Sequence, residues 1–320
     1  MKRMHRRFQI SLGVILTVLA GVTLLLAARL AAEEQPAAWP QSAAAGALKP
    51  ALDPGPRFIR NIVYAKAGDR PLLMDALVPP AADKPRPMVV FIHGGGWRAG
   101  DKSSGKLYLE ALGAAGFVAF SIDYRLTQEA EFPAQIHDCK AAIRFVRKHA
   151  KEFGGNPGEI GVIGASAGGH LAALLGTSGG VPRLEGSEGE TGVSSTVQAV
   201  SDWYGPADFT QIQDLPESTA SMVTALLGGM PSKVPTTAAD ASPVTFVDAK
   251  DPPFQIIHGT EDPTVPFSQS IELRDVLAHQ GVPVELIQVP GGGHANFEGT
   301  TPDTEELLSR MVEFFKLNLK

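Results

Sequence analysis

Ser166 lies at the centre of a Gly-x-Ser-x-Gly motif, where a serine could act as a nucleophile. The apolar, β-prone residues 160–163 precede the motif, and a helix-forming run at residues 171–175 follows it. A serine on such a sharp strand-to-helix turn needs neighbours without bulky side chains, so that its Oγ stands clear of the sheet. Because short motifs of this kind also arise by chance, the serine needs partners elsewhere in the chain.

A carboxylate and a histidine that could activate this serine both follow later predicted strands. Asp262 comes shortly after the apolar residues 254–257, and His294 lies on a glycine-rich loop after a predicted strand at residues 284–289. We predict that Ser166 is the nucleophile, His294 the general base and Asp262 the carboxylate that orients the histidine. This order of the three along the chain differs from the chymotrypsin and subtilisin orders and is typical of one other hydrolase architecture.

A loop with three successive glycines could stabilise the negative charge that such an attack creates. His93, Gly94, Gly95 and Gly96 directly follow the predicted strand at residues 88–92. Glycines leave main-chain N–H groups unobstructed, which suits a site for an oxyanion. The residues alone do not decide which of the three glycines would donate. We expect His93 to brace the loop by hydrogen bonding.

Other polar residues near these motifs have structural explanations. His258 is expected to be packed and hydrogen-bonded, His170 is expected to be packed under the serine turn, and Glu261 is expected to be a solvated loop charge. Cys139 is the only cysteine, so an internal disulfide is impossible, and its position on one face of a predicted helix indicates core packing. No cluster of histidines, cysteines and carboxylates has the spacing of metal ligands, so the sequence predicts neither a metal nor another cofactor.

Residues 1–32 have the pattern of an export signal. Basic residues precede an almost uncharged run at residues 8–28, which is typical of a signal peptide or an N-terminal membrane anchor. A cleaved signal peptide is favoured, and both alternatives predict an exported protein that is periplasmic, secreted, or anchored to the inner membrane by this segment. Residues 33–56, rich in Ala and Pro, are predicted to be a flexible linker, and residues 57–320 the catalytic domain.

The charge of the exported part excludes some partners. The chain has 28 Lys and Arg residues and 34 Asp and Glu residues. Residues 1–32 hold five of the basic residues and no acidic one, so the remainder has 23 against 34 and a net charge of −11. An acidic body argues against nucleic acid and anionic lipid as partners. We therefore expect no nucleic-acid partner, and membrane contact only through an uncleaved N-terminal segment.

Predicted strands and helices alternate along the catalytic region. Residues 58–64 and 71–78 alternate polar and apolar positions and predict an antiparallel pair. Continuous apolar runs predict buried strands at residues 88–92, 117–122, 160–163, 197–200, 254–257 and 284–289. Helical patterns occur at residues 106–115, 133–153, 166–177, 268–280 and 304–319. The alternation predicts an α/β fold whose central sheet is mostly parallel and covered by helices on both faces, with ligands at the carboxyl ends of the strands.

Two segments interrupt this alternation. Residues 178–196, rich in Gly, Ser and Glu, are expected to form an exposed, mobile loop. Residues 206–247 contain one predicted helix, at residues 220–227, among several prolines, and could form a small lid over the site.

Taken together, the motifs resemble those of α/β-hydrolase-fold esterases, and more narrowly the feruloyl esterase and acetylxylan-esterase-like group related to hormone-sensitive lipase. The matching pieces are residues 93–97, 100–102, 123–125, 132–133, 164–170, 252–254 and 293–294. The resemblance implies the α/β-hydrolase fold, with Gly95, Gly96 and the amide of Ala167 as oxyanion donors. Relatives of hormone-sensitive lipase carry a helical cap before the first strands, whereas residues 33–56 are too few to supply one, so the cap is expected to be small or absent.

The function expected from these residues is that of a serine carboxylic-ester hydrolase acting through an acyl-enzyme. The resemblance implies a small-molecule or polysaccharide-linked ester as substrate, with acetyl or feruloyl esters of plant polysaccharide as candidates. An arylformamidase or an exopeptidase could use the same triad to cleave a C–N bond, and a non-catalytic binding module could share the fold. Four aromatic residues on predicted loops could line an acyl pocket or could equally be packing residues: Trp97, Trp203, Tyr204 and Phe297.

Overall fold

The computed structural model describes residues 55–211 and 216–320. The predicted signal peptide or anchor at residues 1–32, and all but the end of the linker predicted at residues 33–56, lie outside the described residues and stay predictions. In the described part of the chain, no helix is both long enough and apolar enough to cross a membrane.

The described elements alternate as the sequence predicts. The strands are β1 (Arg57–Ala67), β2 (Arg70–Val78), β3 (Arg86–Ile92), β4 (Val118–Ile122), β5 (Gly155–Ala165), β6 (Ala199–Trp203), β7 (Phe254–Gly259) and β8 (Val284–Val289). The α-helices are α1 (Lys106–Ala114), α2 (Ala134–Lys148), α3 (Ala167–Thr177), α4 (Pro182–Glu185), α5 (Glu217–Leu227), α6 (Pro235–Asp240), α7 (Ser268–His279) and α8 (Thr304–Asn318). Short 3₁₀ helices lie at Lys102–Gly105, Ala150–Phe153 and Pro243–Thr245.

The strands form one sheet in the order β1-β2-β4-β3-β5-β6-β7-β8. β2 pairs antiparallel with both β1 and β4, as expected for a hairpin added to the edge of a parallel sheet. From β4 to β8 every neighbouring pair is parallel. The carboxyl ends of β3, β5, β6, β7 and β8 therefore meet at one edge of the sheet, where α/β folds bind their ligands.

Side chains of the central strands alternate between two hydrophobic layers. In β3, Met88, Val90 and Ile92 belong to the core that includes residues of α2, α3 and α7, whereas Val89 and Phe91 belong to the core shared with α1 and α8. A strand buried on both faces must be apolar at consecutive positions, which explains the unbroken apolar run in the sequence. Helices thus cover both faces of the sheet, as predicted, and the fold is that of the α/β-hydrolases.

The boundaries of several elements differ from the prediction, among them those of β6 and α2. β6 begins at Ala199 and extends to Trp203, whereas the apolar run in the sequence ends at Val200. The strand continues because Ser201 and Asp202 are fully buried and pair with β5 and β7 despite being polar. The long helix predicted at residues 133–153 ends at Lys148 in α2 and is followed by a separate 3₁₀ turn.

The segment at residues 178–196 is held by buried basic side chains, where the sequence suggested a mobile loop. Lys140 of α2 is fully buried, and its Nζ donates to the Ser178 carbonyl oxygen and to Glu185 Oε1, each at 2.7 Å. Arg144, one turn later, donates to the carbonyl oxygens of Glu185, Glu188 and Glu190. In the sequence these two cations look like ordinary helix surface charges, so the pattern gave no sign of this anchoring.

The described parts of the 206–247 segment form a small helical cover beside the sheet edge. The Thr219 hydroxyl of α5 donates to the Thr264 carbonyl oxygen at 2.7 Å, which ties the helix to the loop after β7. Met222, one turn further, packs against Gly96 in the loop after β3. The cap over this edge of the sheet is therefore small and is supplied by a segment between β6 and β7.

Candidate active site

Ser166 connects the end of β5 to the start of α3 in a conformation that few residues adopt. Its φ is 57° and its ψ is −119°, outside the regions that side chains with a β-carbon favour. The turn is possible because its neighbours are small: a β-carbon on Gly164 would overlap the backbone of Gly168, and one on Gly168 would overlap the backbone of Ile92. The sharp turn predicted from the motif is therefore present.

Asp262 and His294 follow β7 and β8, and the fold brings both to Ser166. His294 Nε2 lies 2.9 Å from Ser166 Oγ, and His294 Nδ1 lies 2.7 Å from Asp262 Oδ2. The carboxylate can only accept at Nδ1, so this nitrogen carries the proton and Nε2 accepts from the serine hydroxyl. The three residues predicted from distant parts of the chain thus form one continuous line of hydrogen bonds.

The environment of Asp262 keeps its carboxylate charged. Burial alone would raise the pKa of Asp262, but hydrogen bonds from His258 and His294 and from the amides of Val265 and Thr264 outweigh it. Together they hold the pKa of Asp262 well below its usual range. An ionised carboxylate at this position stabilises a positive charge on His294, as a general base requires when it takes the serine proton.

The loop after β3 lies against the serine turn. A β-carbon on Gly94 would be 3.3 Å from Ser166 Cβ and closer still to the Ala165 carbonyl oxygen, so this position accepts only glycine. Gly95 and Gly96 have φ values of 111° and 61°, which also favour glycine. The backbone amides of Gly95, Gly96 and Ala167 donate no hydrogen bond to another described residue, so they are available to bind an oxyanion.

Two histidines brace this loop: His93, for which the sequence predicts this role, and His170, which is expected from the sequence to be packed under the serine turn. His93 Nδ1 donates to the Gly94 carbonyl oxygen at 2.7 Å, and the ring stacks on Tyr124. His170 Nδ1 accepts from Trp97 Nε1 at 3.2 Å, while its Nε2 donates to the Ala241 carbonyl oxygen at 2.7 Å. Burial lowers the pKa of His170 to about 4, so the ring stays neutral and joins the serine helix, the glycine loop and the segment after α6.

The four aromatics that could have lined an acyl pocket are buried. Trp97, Trp203, Tyr204 and Phe297 are 1–4% exposed. Trp97 packs edge-on against His170 and Phe209 instead of facing solvent. Trp203 lies within β6, and its Nε1 donates to Ser201 Oγ at 3.1 Å. The burial of these rings favours the packing interpretation, and the Tyr204 ring also packs against His294, with 4.9 Å between the two ring centres.

Two contacts at the site were not foreseen from the sequence. His258, expected to be packed and hydrogen-bonded, is fully buried, and one of its partners is Asp262 itself, 3.1 Å from Nε2. Met222 packs against Gly96 in the glycine loop after β3. The nearness of His258 to Asp262 in the chain could have suggested the first contact, whereas nothing in the sequence marks Met222. In the ranges that the structure describes, no group of three or more His, Cys, Asp or Glu residues is placed to hold a metal ion.

Comparison with known proteins identifies the family. The BD-FAE family model matches residues 74–277. The chain is 35% identical over 216 residues to the probable carboxylic ester hydrolase LipM of Mycobacterium tuberculosis, covering 65% of this chain and 49% of LipM. The chain spans about half the length of the curated relatives it matches first.

Two solved structures share the fold over nearly their whole length. A truncated form of a carbohydrate esterase from gut microbiota is 33% identical, with a TM-score of 0.73, and the match covers 84% of this chain and 98% of that one. The thermophilic esterase Est2 of Thermogutta terrifontis is 29% identical, with a TM-score of 0.63, and the match covers 81% and 89% of the two chains. The protein therefore belongs to the BD-FAE family and has the α/β-hydrolase fold.

Proposed function

We propose that this protein is a carboxylic-ester hydrolase that works through an acyl-enzyme on Ser166. The observation that carries the proposal is the line of hydrogen bonds from Asp262 through His294 to the Ser166 hydroxyl, at 2.7 and 2.9 Å. A serine is a weak nucleophile unless an adjacent base removes its proton, and this arrangement supplies the base and a group that orients it. The ester hydrolase and esterases among its relatives support the same reaction.

Each residue has a defined part in the reaction. Ser166 Oγ attacks the ester carbonyl carbon as His294 Nε2 takes the hydroxyl proton, and Asp262 stabilises the resulting imidazolium. His294 then gives that proton to the leaving alcohol as the C–O bond breaks, which leaves the acyl group on Ser166. Water repeats the sequence, with His294 as base, and releases the acid and the free serine.

The negative oxygen of each tetrahedral intermediate needs preorganised donors. The amides of Gly95, Gly96 and Ala167 are the donors we assign, because the glycine loop lies against the serine turn. The Ala167 amide is also the first N–H of α3, where the helix dipole favours a negative charge. Loss of one such donor is expected to reduce turnover by about 100- to 1000-fold.

The substrate we propose is an acyl ester on a carbohydrate. Gly95, Ala295 and Asn296 are exposed beside the serine and histidine, so the described part of the site is open to a bulky alcohol group. The carbohydrate esterase among the structural relatives supports this class of substrate. Because the nearby aromatic rings are buried, the arrangement favours a small acyl group such as acetyl over feruloyl.

A substrate panel with a nucleophile variant tests the proposal. Purified protein and Ser166→Ala are assayed on p-nitrophenyl acetate, acetylated and feruloylated xylo-oligosaccharides, formylkynurenine and aminoacyl anilides. We expect hydrolysis of the acetyl esters, with activity lost in Ser166→Ala and the fold retained by circular dichroism. A preference for the anilides or formylkynurenine would overturn the ester assignment, and absence of turnover on the whole panel would favour a binding module.

A further inference from the structure

The carboxylate of Asp262 receives a hydrogen bond at every acceptor position. Oδ1 accepts from the amides of Thr264 and Val265 at 2.7 and 2.9 Å. Oδ2 accepts from His294 Nδ1 at 2.7 Å and from His258 Nε2 at 3.1 Å. Two histidines therefore share one oxygen, and only one of them touches the serine.

The contacts of His258 determine which of its nitrogens carries the proton. Nε2 faces two groups that can only accept, Asp262 Oδ2 and the Val265 carbonyl oxygen at 2.9 Å, so Nε2 is the donor. Nδ1 lies 2.7 Å from Ser270 Oγ and accepts from that hydroxyl. His258 and Ser270 are both buried, so water does not compete for these hydrogen bonds. Ser270, near the start of α7, thus fixes the tautomer that lets His258 donate to Asp262.

We propose that His258 and Ser270 form a positioning pair that holds the Asp262 carboxylate in the orientation His294 requires. This inference rests on the proposed function of the triad. Without the His258 bond, Oδ2 would keep one donor while Oδ1 keeps two, and the carboxylate could turn away from His294 Nδ1. His258 acts on the carboxylate alone.

The His258 ring contacts one carboxylate and lies near two aromatic rings. The His258 ring meets Asp262 on one side, and its ring centre is 6.5 Å from that of Tyr204 and 5.6 Å from that of Phe267. His294 and Tyr204 are in turn edge to face. Burial raises the pKa of Tyr204 well above its ordinary value, and Tyr108, Asp262 and Asp202 add to the effect, so this tyrosine stays neutral. Asp262 and His294 are therefore the groups whose charge His258 can influence.

The test compares His258→Met, which removes the donor, with His258→Gln, whose side-chain Nε2 can restore it. Steady-state kinetics on p-nitrophenyl acetate across pH give kcat, KM and the acidic limb of kcat/KM, with the exposed His279→Gln as a control. We expect His258→Met to lower kcat by about 10- to 100-fold, the range found when outer partners of metal-bound histidines are removed. KM should stay within about twofold of wild type, because His258 does not meet the substrate.

The acidic limb of the pH profile separates positioning from a merely structural role. A carboxylate that has turned away from Nδ1 stabilises the His294 imidazolium less, so the apparent pKa of that limb should fall in His258→Met and return in His258→Gln. Ser270→Ala should change kcat and the limb in the same direction by less. A folded His258→Met, or Ser270→Ala if the former does not fold, with wild-type kcat and an unmoved limb would overturn the proposal.

A measurement that does not depend on activity tests the positioning pair separately from the proposed function. The ¹⁵N resonances of His294 are titrated by NMR in wild type, His258→Met and Ser270→Ala, a measurement that needs no turnover. If wild type proves inactive on every ester, the proposed function fails, yet a lowered His294 pKa in the variants would still support the positioning pair. An unchanged His294 titration in both variants would overturn it whatever the activity.

Discussion

The side chain of Met222 occupies the space that a β-carbon on Gly96 would need. Gly96 also has a φ of 61°, which an L side chain adopts with strain. Gly96→Ala should therefore displace the oxyanion loop and lower kcat on p-nitrophenyl acetate by about 100-fold, the cost of a misplacement near 1 Å.

The matched control for this substitution is Gly192→Ala. Gly192 has a similar φ of 75°, and a β-carbon there would meet nothing within 4 Å. It should lose some stability from backbone strain and keep its kcat. Adding Met222→Ala to Gly96→Ala should recover part of the lost activity. Wild-type kcat in Gly96→Ala alone would show that this loop does not hold the oxyanion.

Asp262→Asn, compared with a substitution of the neighbouring Glu261, tests whether catalysis depends on the Asp262 carboxylate. The amide keeps the shape of the side chain, but it no longer stabilises the imidazolium or fixes the correct tautomer, so kcat should fall by about 10⁴-fold. Glu261, the preceding residue, is exposed and serves as the control. Glu261→Gln should retain wild-type kcat. An equal loss in both variants would mean that the charge of the loop, and not the position of Asp262, matters.

The ionisation of Asp202 should make the free energy of unfolding depend on pH. Burial raises its pKa to about 7, despite a hydrogen bond from the Gly205 amide, so above pH 4 the unfolded chain ionises this group and the folded chain does not until about pH 7. Its contribution to stability is thus complete below the unfolded pKa and is lost as pH rises to the folded value.

Asp202→Asn removes this dependence while keeping an acceptor for the Gly205 amide. Between pH 5 and pH 8 the free energy of unfolding of the variant, relative to wild type, should increase by at most about 3 kcal/mol. Urea unfolding at both pH values measures it, with the exposed Asp83→Asn as control. A constant difference between variant and wild type would contradict the raised pKa.

Lys140 and Lys148 each form an ion pair with a glutamate of the 178–196 segment but differ in burial, so their substitution tests how this segment is held. Lys140 is fully buried against Glu185, whereas Lys148 is 50% exposed beside Glu190. Lys140→Met removes the donor to the Ser178 carbonyl oxygen and one of the partners of Glu185, which keeps Arg144 at 3.6 Å and the Ser195 hydroxyl at 2.7 Å, and should destabilise the fold by about 1–3 kcal/mol. Lys148→Met should cost less than about 1 kcal/mol.

Limited proteolysis of the same two variants tests the segment directly. Cleavage within residues 178–196 should accelerate in Lys140→Met and not in Lys148→Met. Rapid cleavage of this segment in wild-type protein would favour the mobile loop that its composition suggests.

The order of elements, and the meeting of Ser166, Asp262 and His294, could be predicted from the sequence. In a parallel sheet each strand's carboxyl end reaches the same edge, so residues placed just after strands converge even when they are far apart in the chain. The patterns of β3, β5, β7 and β8 were strong enough to place those loops correctly.

Contacts that depend on side-chain packing could not be predicted in this way. Trp203 is predicted to lie on a loop because the apolar run in the sequence ends at Val200, whereas β6 continues to Trp203 and buries the indole. Met222 and Gly96 lie in segments whose relative placement is set by tertiary packing and not by periodicity, so their contact could not be read from the sequence.

The acyl-enzyme on Ser166 is tested most directly by mass spectrometry of the intermediate. Wild-type protein is mixed with p-nitrophenyl acetate, quenched in acid during turnover, digested and mapped by peptide. The account predicts one acetyl group on the peptide that contains Ser166, and none on that peptide in Ser166→Ala. Steady turnover without an adduct in the wild type, or an adduct on another residue that persists in Ser166→Ala with unchanged activity, would contradict it.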